Sequence, residues 1–159
     1  MEIRLLNAEA LPEAEEVVRQ SFATVAVTFH LTRENCPTNG AFLAPGRLLS
    51  ERNAGAVQAG CFVNGRMVGY VQITAVQNGS AEMEKLAVLP ECRRCGAGKA
   101  LVDWAKETAK ANGAQRLCIG IIEENAPLKA WYEALGFVHT GTRVFAHLPF
   151  TVGFMEMRL

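Results

Sequence analysis

The residues best suited to chemistry stand together at Arg93-Arg94-Cys95-Gly96-Ala97-Gly98-Lys99. Three cations fall within seven positions, with no acid among them. Gly96 and Gly98 let the backbone approach a ligand where a Cβ would clash. An apolar run, Leu86-Ala87-Val88-Leu89, leads into this turn, and a helical pattern leads out of it. Amides freed at the start of that helix can point at a single anion. A phosphate-bearing ligand is the simplest partner for such a turn.

Two common phosphate loops do not fit. A Walker loop needs G-x-x-x-x-G-K-[ST], but Arg94 stands at the leading glycine and Ala100 follows Lys99. The dinucleotide fingerprint G-x-G-x-x-G wants a small third residue, and Leu101 occupies that place. What fits is R-x-x-G-x-G, read as Arg93-Arg94-Cys95-Gly96-Ala97-Gly98, directly after a strand and Pro90. A second cluster lies downstream, from Asn125 through Ala126, Pro127, Trp131 and Tyr132 to Gly136-Phe137. Together, in this order, the two resemble the cofactor motifs of the GCN5-related N-acetyltransferase (GNAT) family, R-x-x-G-x-G and N-x-x-A-x-x-F-Y-x-x-x-G-F. Leu128 stands where alanine is common and Trp131 where phenylalanine is common, and both keep the apolar character. The resemblance covers roughly Ala56 to Leu159; the first fifty residues match only in general layout.

The resemblance implies a site and a reaction. Acetyl-CoA would lie where the neighbouring strands Ala81–Val88 and Arg116–Ile122 splay apart. Main-chain groups of Leu86, Ala87 and Val88 would pair with the pantetheine arm as an added strand. Amides of Arg94, Cys95, Gly96, Ala97, Gly98 and Lys99 would hold the pyrophosphate, with Arg93, Arg94 and Lys99 supplying charge. Asn125 would contact the pantetheine chain. The acetyl group would pass directly to a primary amine of a small molecule or peptide. An alkylamine has a pKa near 10.4, so it needs a base before it can attack. Glu84 is the first candidate, two residues before Leu86, with Glu82 on the same face by the period of two and a water molecule as the remaining option. Tyr132 occupies the family position beside the leaving thiolate. Transfer of another acyl group is a second reading, because the loop reads only CoA. A CoA-binding regulatory domain without turnover is a third.

These residues need a scaffold, and the patterns supply one. Ile3–Leu6 reads as a strand and Asn7–Pro12 as a turn into a helix carrying Ala14, Val17, Val18 and Phe22 at helical spacing. Ala23–Leu31 either extends that helix or forms a separate element. Thr32–Gly46 is a long irregular segment, and Arg47–Asn53 a short helix. Ala56–Val63 and Met67–Val76 read as strands around the hairpin signal Asn64-Gly65. Asn78-Gly79-Ser80 turns into Ala81–Val88. Gly98–Asn112 is a helix stopped by Gly113, Arg116–Ile122 a buried strand, and Ala126–Leu135 a helix stopped by Gly136. Phe137–Phe145 and Val152–Met157 form a last strand pair. The expected fold is α/β: one domain over residues 1–159, with a mixed central sheet, an antiparallel meander and a βαβ crossover, flanked by helices. Phe22, Phe29, Phe42, Tyr70, Phe145 and Phe150 are candidates to line the acceptor pocket.

Composition narrows the class. Lys plus Arg and Asp plus Glu both number 16, so no global field recruits nucleic acid or membrane. Met1–Asn7 shows no signal peptide, and no apolar run is long enough to cross a bilayer; a cytoplasmic protein is expected, and a homodimer is compatible with the reading. Cys36, Cys61, Cys92, Cys95 and Cys118 form an odd set with no framework spacing. Cys92-x-x-Cys95 has no partner pair to complete a zinc site, so no metal is expected. His30, His139 and His147 are scattered and carry no assigned role.

Overall fold

The structure is a computed structural model describing residues 1–159. Its strands are β1 (Glu2–Leu5), β2 (Val57–Val63), β3 (Arg66–Ile73), β4 (Ser80–Val88), β5 (Arg116–Ile122), β6 (Val138–Val144) and β7 (Thr151–Arg158). The helices are α1 (Leu11–Thr28), α2 (Arg47–Asn53), α3 (Ala97–Ala111) and α4 (Ala126–Ala134). The seven strands form one sheet in the order β1-β2-β3-β4-β5-β7-β6. Every pair is antiparallel except β4 with β5. That single parallel pair needs a crossover, which α3 provides. The expected mixed sheet with a meander and a βαβ unit is therefore the observed one.

Asn64-Gly65 makes the β2–β3 turn with both residues at positive φ, 49° and 80°, as a two-residue hairpin with right-handed strand twist requires. β3 is buried along its whole length after Arg66, so both faces of the sheet are covered there. On one side Gly69 leaves room for Leu101 of α3; a Cβ would stand 2.9 Å from Leu101 Cδ1. On the other side Gln72 faces the rim near α2, through Glu84 of β4.

The stretch Ala23–Leu31 resolves as the last turns of α1, up to Thr28. Its apolar residues form a small second cluster, Ala26 and Leu31 with Cys36, against which Phe29, Phe42, Ile122, Leu148 and Phe150 pack. That cluster ties the end of α1 to the end of β5 and to the β6–β7 connection. Thr32–Gly46 is irregular apart from one 3-10 turn at Gly40–Phe42. Buried Glu15 of α1 accepts from the amides of Gly46 at 3.2 Å and Leu48 at 3.1 Å. A carboxylate at that place satisfies orphan donors at the start of α2 and suits the helix dipole. It fixes α2, and with it Glu51, over the sheet. Tyr70, a sequence candidate for the acceptor pocket, is instead wholly buried in the main core.

Candidate active site

β4 and β5 pair only at Ser80–Glu82 with Arg116–Cys118. β4 runs on to Val88 still paired with β3, and β5 runs on to Ile122 still paired with β7. Each strand keeps its other neighbour, so the sheet opens as a cleft between them. Strand edges inside such an opening present main-chain groups to whatever enters.

The cleft is floored at its β4 end by the turn into α3. Arg94 and Gly96 both take left-handed conformations, with φ of 62° and 90°. The first amide in α3 to donate to the backbone is that of Ala100, to Gly96 O at 3.0 Å. Arg94, Cys95, Gly96, Ala97, Gly98 and Lys99 thus present six consecutive amides that no protein acceptor takes. A run of such amides at a helix N-terminus is an anion cradle.

The side chains of the loop divide. Arg94 is exposed and makes no hydrogen bond or ion pair. Lys99 Nζ reaches Asp103 Oδ2 at 2.6 Å, an exposed i,i+4 pair that competes weakly with any stronger anion. Arg93 turns back to α1, where Nη2 donates to Ser21 O and Thr24 Oγ1, both at 2.9 Å, and Nε to Val88 O at 3.3 Å. Ser21 Oγ accepts from the Val88 amide at 3.1 Å. In this arrangement Arg93 and Ser21 brace the loop against α1, and the main chain of Val88 is engaged on both sides. Leu86 is half-buried and Ala87 buried on the same strand.

Gly98 approaches α4 closely: a Cβ there would lie 3.3 Å from Trp131 Cζ2. Cys95 Sγ lies 2.6 Å from Cys92 O, and all five cysteines are free. No group of three or more His, Cys, Asp or Glu is placed to share a metal ion. Changing Cys92 and Cys95 together to serine is expected to keep the fold and the affinity for CoA, since a hydroxyl in place of the Cys95 thiol can make the same contact. Stoichiometric zinc in the purified protein, or loss of CoA affinity on mild reduction, would overturn this.

Glu84 stands just past the last paired position of the β4–β5 ladder, where the cleft begins. Its side chain is 36% exposed, and Oε2 accepts from Gln72 Nε2 at 2.7 Å. Oε1 receives no donor from the protein. Glu82 is exposed on the paired side. Next to Glu84, Lys85 takes a left-handed φ of 52°, and the register with β3 slips here: Gln72 faces Glu84 while Tyr70 faces Ala87. This is a bulge with one extra residue on β4. Non-glycine strain of this kind persists only where surroundings hold it, and the Lys85 ammonium is held by Glu51 Oε1 of α2 at 2.8 Å. Burial pushes the Glu51 carboxyl up, but hydrogen bonds from Lys85 and Arg47 outweigh it and hold it below the usual range.

The far wall is α4. Asn125 caps it, accepting from Leu128 N at 3.3 Å through Oδ1, which leaves its NH₂ group uncommitted. The spacing of Trp131 and Leu135 suggests that they face the core and that Tyr132 lies at a partly solvated edge. Trp131 and Leu135 do pack, half-buried, against the core, but Tyr132 is no edge residue: it is the buried residue of α4, 6% exposed. Its ring sits edge-on between Trp131, at 4.9 Å, and Phe137, at 5.3 Å. Burial raises its phenol above the ordinary range, so the hydroxyl stays protonated. It makes no hydrogen bond within the protein. α4 is anchored by Glu123, paired with Lys129 Nζ and His139 Nε2, both at 2.9 Å. That carboxylate lies over the β7 backbone at Gly153, where a Cβ would run into it.

Sequence reasoning missed Ser21, Gln72, Glu123 and Gly153. None belongs to a motif, and each has a partner at least 12 residues away, Glu123 pairing also with Lys129 six residues on.

Comparisons with known proteins bear on family and fold. The profile described as Acetyltransferase (GNAT) family matches residues 25–137. An uncharacterized N-acetyltransferase of Mycobacterium tuberculosis (strain H37Rv) is 34% identical over 82 residues, 52% of this chain and 53% of that one. The chain spans about half the length of the curated relatives it matches. The ribosomal-protein-S18-alanine N-acetyltransferase of Escherichia coli superposes with a TM-score of 0.78 at 20% identity, over 99% of this chain and 92% of the other. The PaiA N-acetyltransferase of Thermoplasma acidophilum, in complex with coenzyme A, gives 0.76 at 20% identity, over 99% and 98%. At that identity the likeness is one of fold alone. With the profile spanning the cleft, the amide cradle and α4, this chain belongs to the acetyltransferase (GNAT) family.

Proposed function

We propose that the chain is a cytoplasmic enzyme that transfers the acetyl group of acetyl-CoA directly to a primary amine of a small molecule or peptide, with residues 1–159 as one catalytic domain. The observation that carries this is the set of six uncommitted amides, Arg94 to Lys99, at the mouth of an opened parallel strand pair. The amides take the pyrophosphate, with Arg94 and Lys99 adding charge at the rim and Arg93 bracing the turn. Charge-assisted bonds of this kind contribute roughly 1.5–3 kcal/mol each. The β4 edge at Leu86, Ala87 and Val88 receives the pantetheine arm, which at Val88 displaces Ser21 Oγ and the Arg93 guanidinium from the main-chain amide and carbonyl, and the free NH₂ of Asn125 reaches it from α4.

The thioester carbon then lies near Glu84. The amine nitrogen attacks that carbon once Glu84, directly or through water, has taken its proton. A C–N bond forms and the C–S bond breaks. The leaving thiolate receives a hydrogen bond or proton from the Tyr132 hydroxyl. The test is thiol release from acetyl-CoA across a panel comprising a polyamine, an aminoglycoside, an amino-acid amide and a peptide with a free N-terminus. Release above the amine-free rate with at least one of them supports the reading; none, with CoA still bound, overturns it. Repeating the best amine with longer acyl-CoAs tests the choice of acetyl.

Tyr132→Phe separates a catalytic hydroxyl from a merely packed ring. The hydroxyl has no protein partner, so its removal strands no donor or acceptor, and the melting temperature should stay where it is. If it stabilises the departing thiolate, kcat should fall about ten- to a hundredfold with acetyl-CoA KM unchanged, the pattern of an interaction made in the transition state. Full kcat in the variant would remove Tyr132 from the mechanism.

A further inference from the structure

A polar row crosses three adjacent strands beneath the base. Gln58 of β2 lies opposite Gln72 of β3, and Gln72 opposite Glu84 of β4. Residues directly opposite on neighbouring antiparallel strands are close enough to touch. Gln58 and Gln72 are 0% and 1% exposed, while Glu84 emerges at the cleft. Burying two primary amides in a core is costly unless their atoms are paired.

Gln72 is paired at both ends. Its Nε2 donates to Glu84 Oε2 at 2.7 Å. Its Oε1 accepts from the Tyr70 hydroxyl at 2.7 Å and, at a longer 3.4 Å, from Gln58 Nε2. Gln58 Nε2 makes its shorter bond to Leu48 O at 2.8 Å. That carbonyl only accepts, so it fixes which end of Gln58 is the donor. Burial, and after it the charge of Glu51, keep the Tyr70 phenol protonated. Two donors therefore meet Gln72 Oε1, and Nε2 must face Glu84. The opposite amide orientation would set an oxygen against a carboxylate oxygen, so the network itself decides the assignment.

The geometry points to Gln72 as the positioning residue for the base. Through the chain Tyr70–Gln72–Glu84 it holds one carboxylate oxygen and leaves the other directed at the acceptor amine. The inference rests on the role proposed for Glu84. An unrestrained glutamate samples several rotamers on a half-exposed strand; a buried amide locked at its far end selects one. Lys85 does not do this work, since its ammonium is 3.8 Å from Glu84 Oε2 and is already bonded to Glu51. A misplacement of about 1 Å in a reacting group costs on the order of a hundredfold.

The experiment is a double-mutant cycle on thiol release, using acetyl-CoA and the fastest amine of the panel above. Gln72→Leu should lower kcat ten- to a hundredfold with acetyl-CoA KM unchanged. Tyr70→Phe, which keeps the core volume and removes only the shorter of the two bonds to Gln72 Oε1, should lower it several-fold in the same way. In the Glu84→Gln background neither change should cost more than about twofold, because there is no base left to position. A structural role would instead multiply the losses and lower the melting temperature in step with kcat. Full kcat in both Gln72→Leu and Tyr70→Phe overturns the inference, as do losses that persist undiminished in the Glu84→Gln background. Full kcat in Glu84→Gln alone overturns the base assignment, and this inference with it. If Gln72→Leu fails to fold, the Tyr70→Phe arm decides.

Discussion

Glu84→Gln is expected to lower kcat/KM for the acceptor about a hundredfold, at the lower end for general base catalysis, and to flatten the acidic limb of the pH profile. Three features single out this carboxylate. It stands two residues past the last position at which β4 pairs with β5. One oxygen is held by Gln72 at 2.7 Å and the other has no protein donor. The bulge at Lys85 turns the next ammonium toward Glu51 and keeps it from closing over that free oxygen. The variant keeps the size of the side chain and an oxygen for Gln72 Nε2, so the fold and acetyl-CoA binding should be preserved. It places an NH₂ group, which takes no proton at neutral pH, where the amine must lose one. The sequence leaves Glu82 as an alternative by face. In the structure Glu82 lies within the paired part of the ladder, opposite Cys118, one pleat short of the cleft. A Glu84→Gln profile that keeps its acidic limb would hand the role to Glu82 or to solvent, and Glu82→Gln would then show the loss.

The fold was legible because its punctuation is local. Asn64-Gly65, Asn78-Gly79, Gly113 and Gly136 each sit at positive φ, and between them the apolar periods are clean. The turn into α3 was legible for the same reason: its uncommitted donors are main-chain amides, and glycine spacing reports on main chain. Side-chain direction was not legible. Arg93 reads as a cation among cations, yet its guanidinium finds Ser21 O and Thr24 Oγ1 across some seventy residues of sequence. Tyr132 reads as an edge residue because Trp131 and Leu135 are four apart. What buries it is Phe137, brought over its ring after the chain reverses at Gly136. The bulge at Lys85 left no trace in composition, since lysine is an unfavourable residue for left-handed φ and only tertiary contacts keep it there. The cross-strand row from Gln58 to Glu84 depends on register, which no single strand reveals.

Gly98→Val is expected to weaken acetyl-CoA binding a hundredfold or more, about 2.7 kcal/mol, measured by calorimetry with CoA. The sequence suggests that the new side chain would meet the pyrophosphate. The structure adds a different obstacle. The Cβ points to α4, 3.3 Å from Trp131 Cζ2 and 3.5 Å from Cη2, with Val88 Cγ2 at 3.9 Å. An alanine can be absorbed by a few tenths of an ångström of movement in the indole, and Gly98→Ala should lose less than tenfold. The two methyl groups of valine need more space than the indole can yield. Either Trp131 swings out, taking the ring that packs on Tyr132, or the first turn of α3 lifts and carries the amides of Ala97, Gly98 and Lys99 out of line. Misaligning even two such donors, at roughly 1.5–3 kcal/mol each for bonds to a charged group, accounts for the expected loss. The two routes are separable. If crowding against Trp131 is the cause, Gly98→Val combined with Trp131→Leu should regain most of the CoA affinity. If valine blocks the pyrophosphate itself, the second change should regain none. A Gly98→Val protein that binds CoA as the wild type does, with the same melting temperature, would show that the ligand does not use this turn.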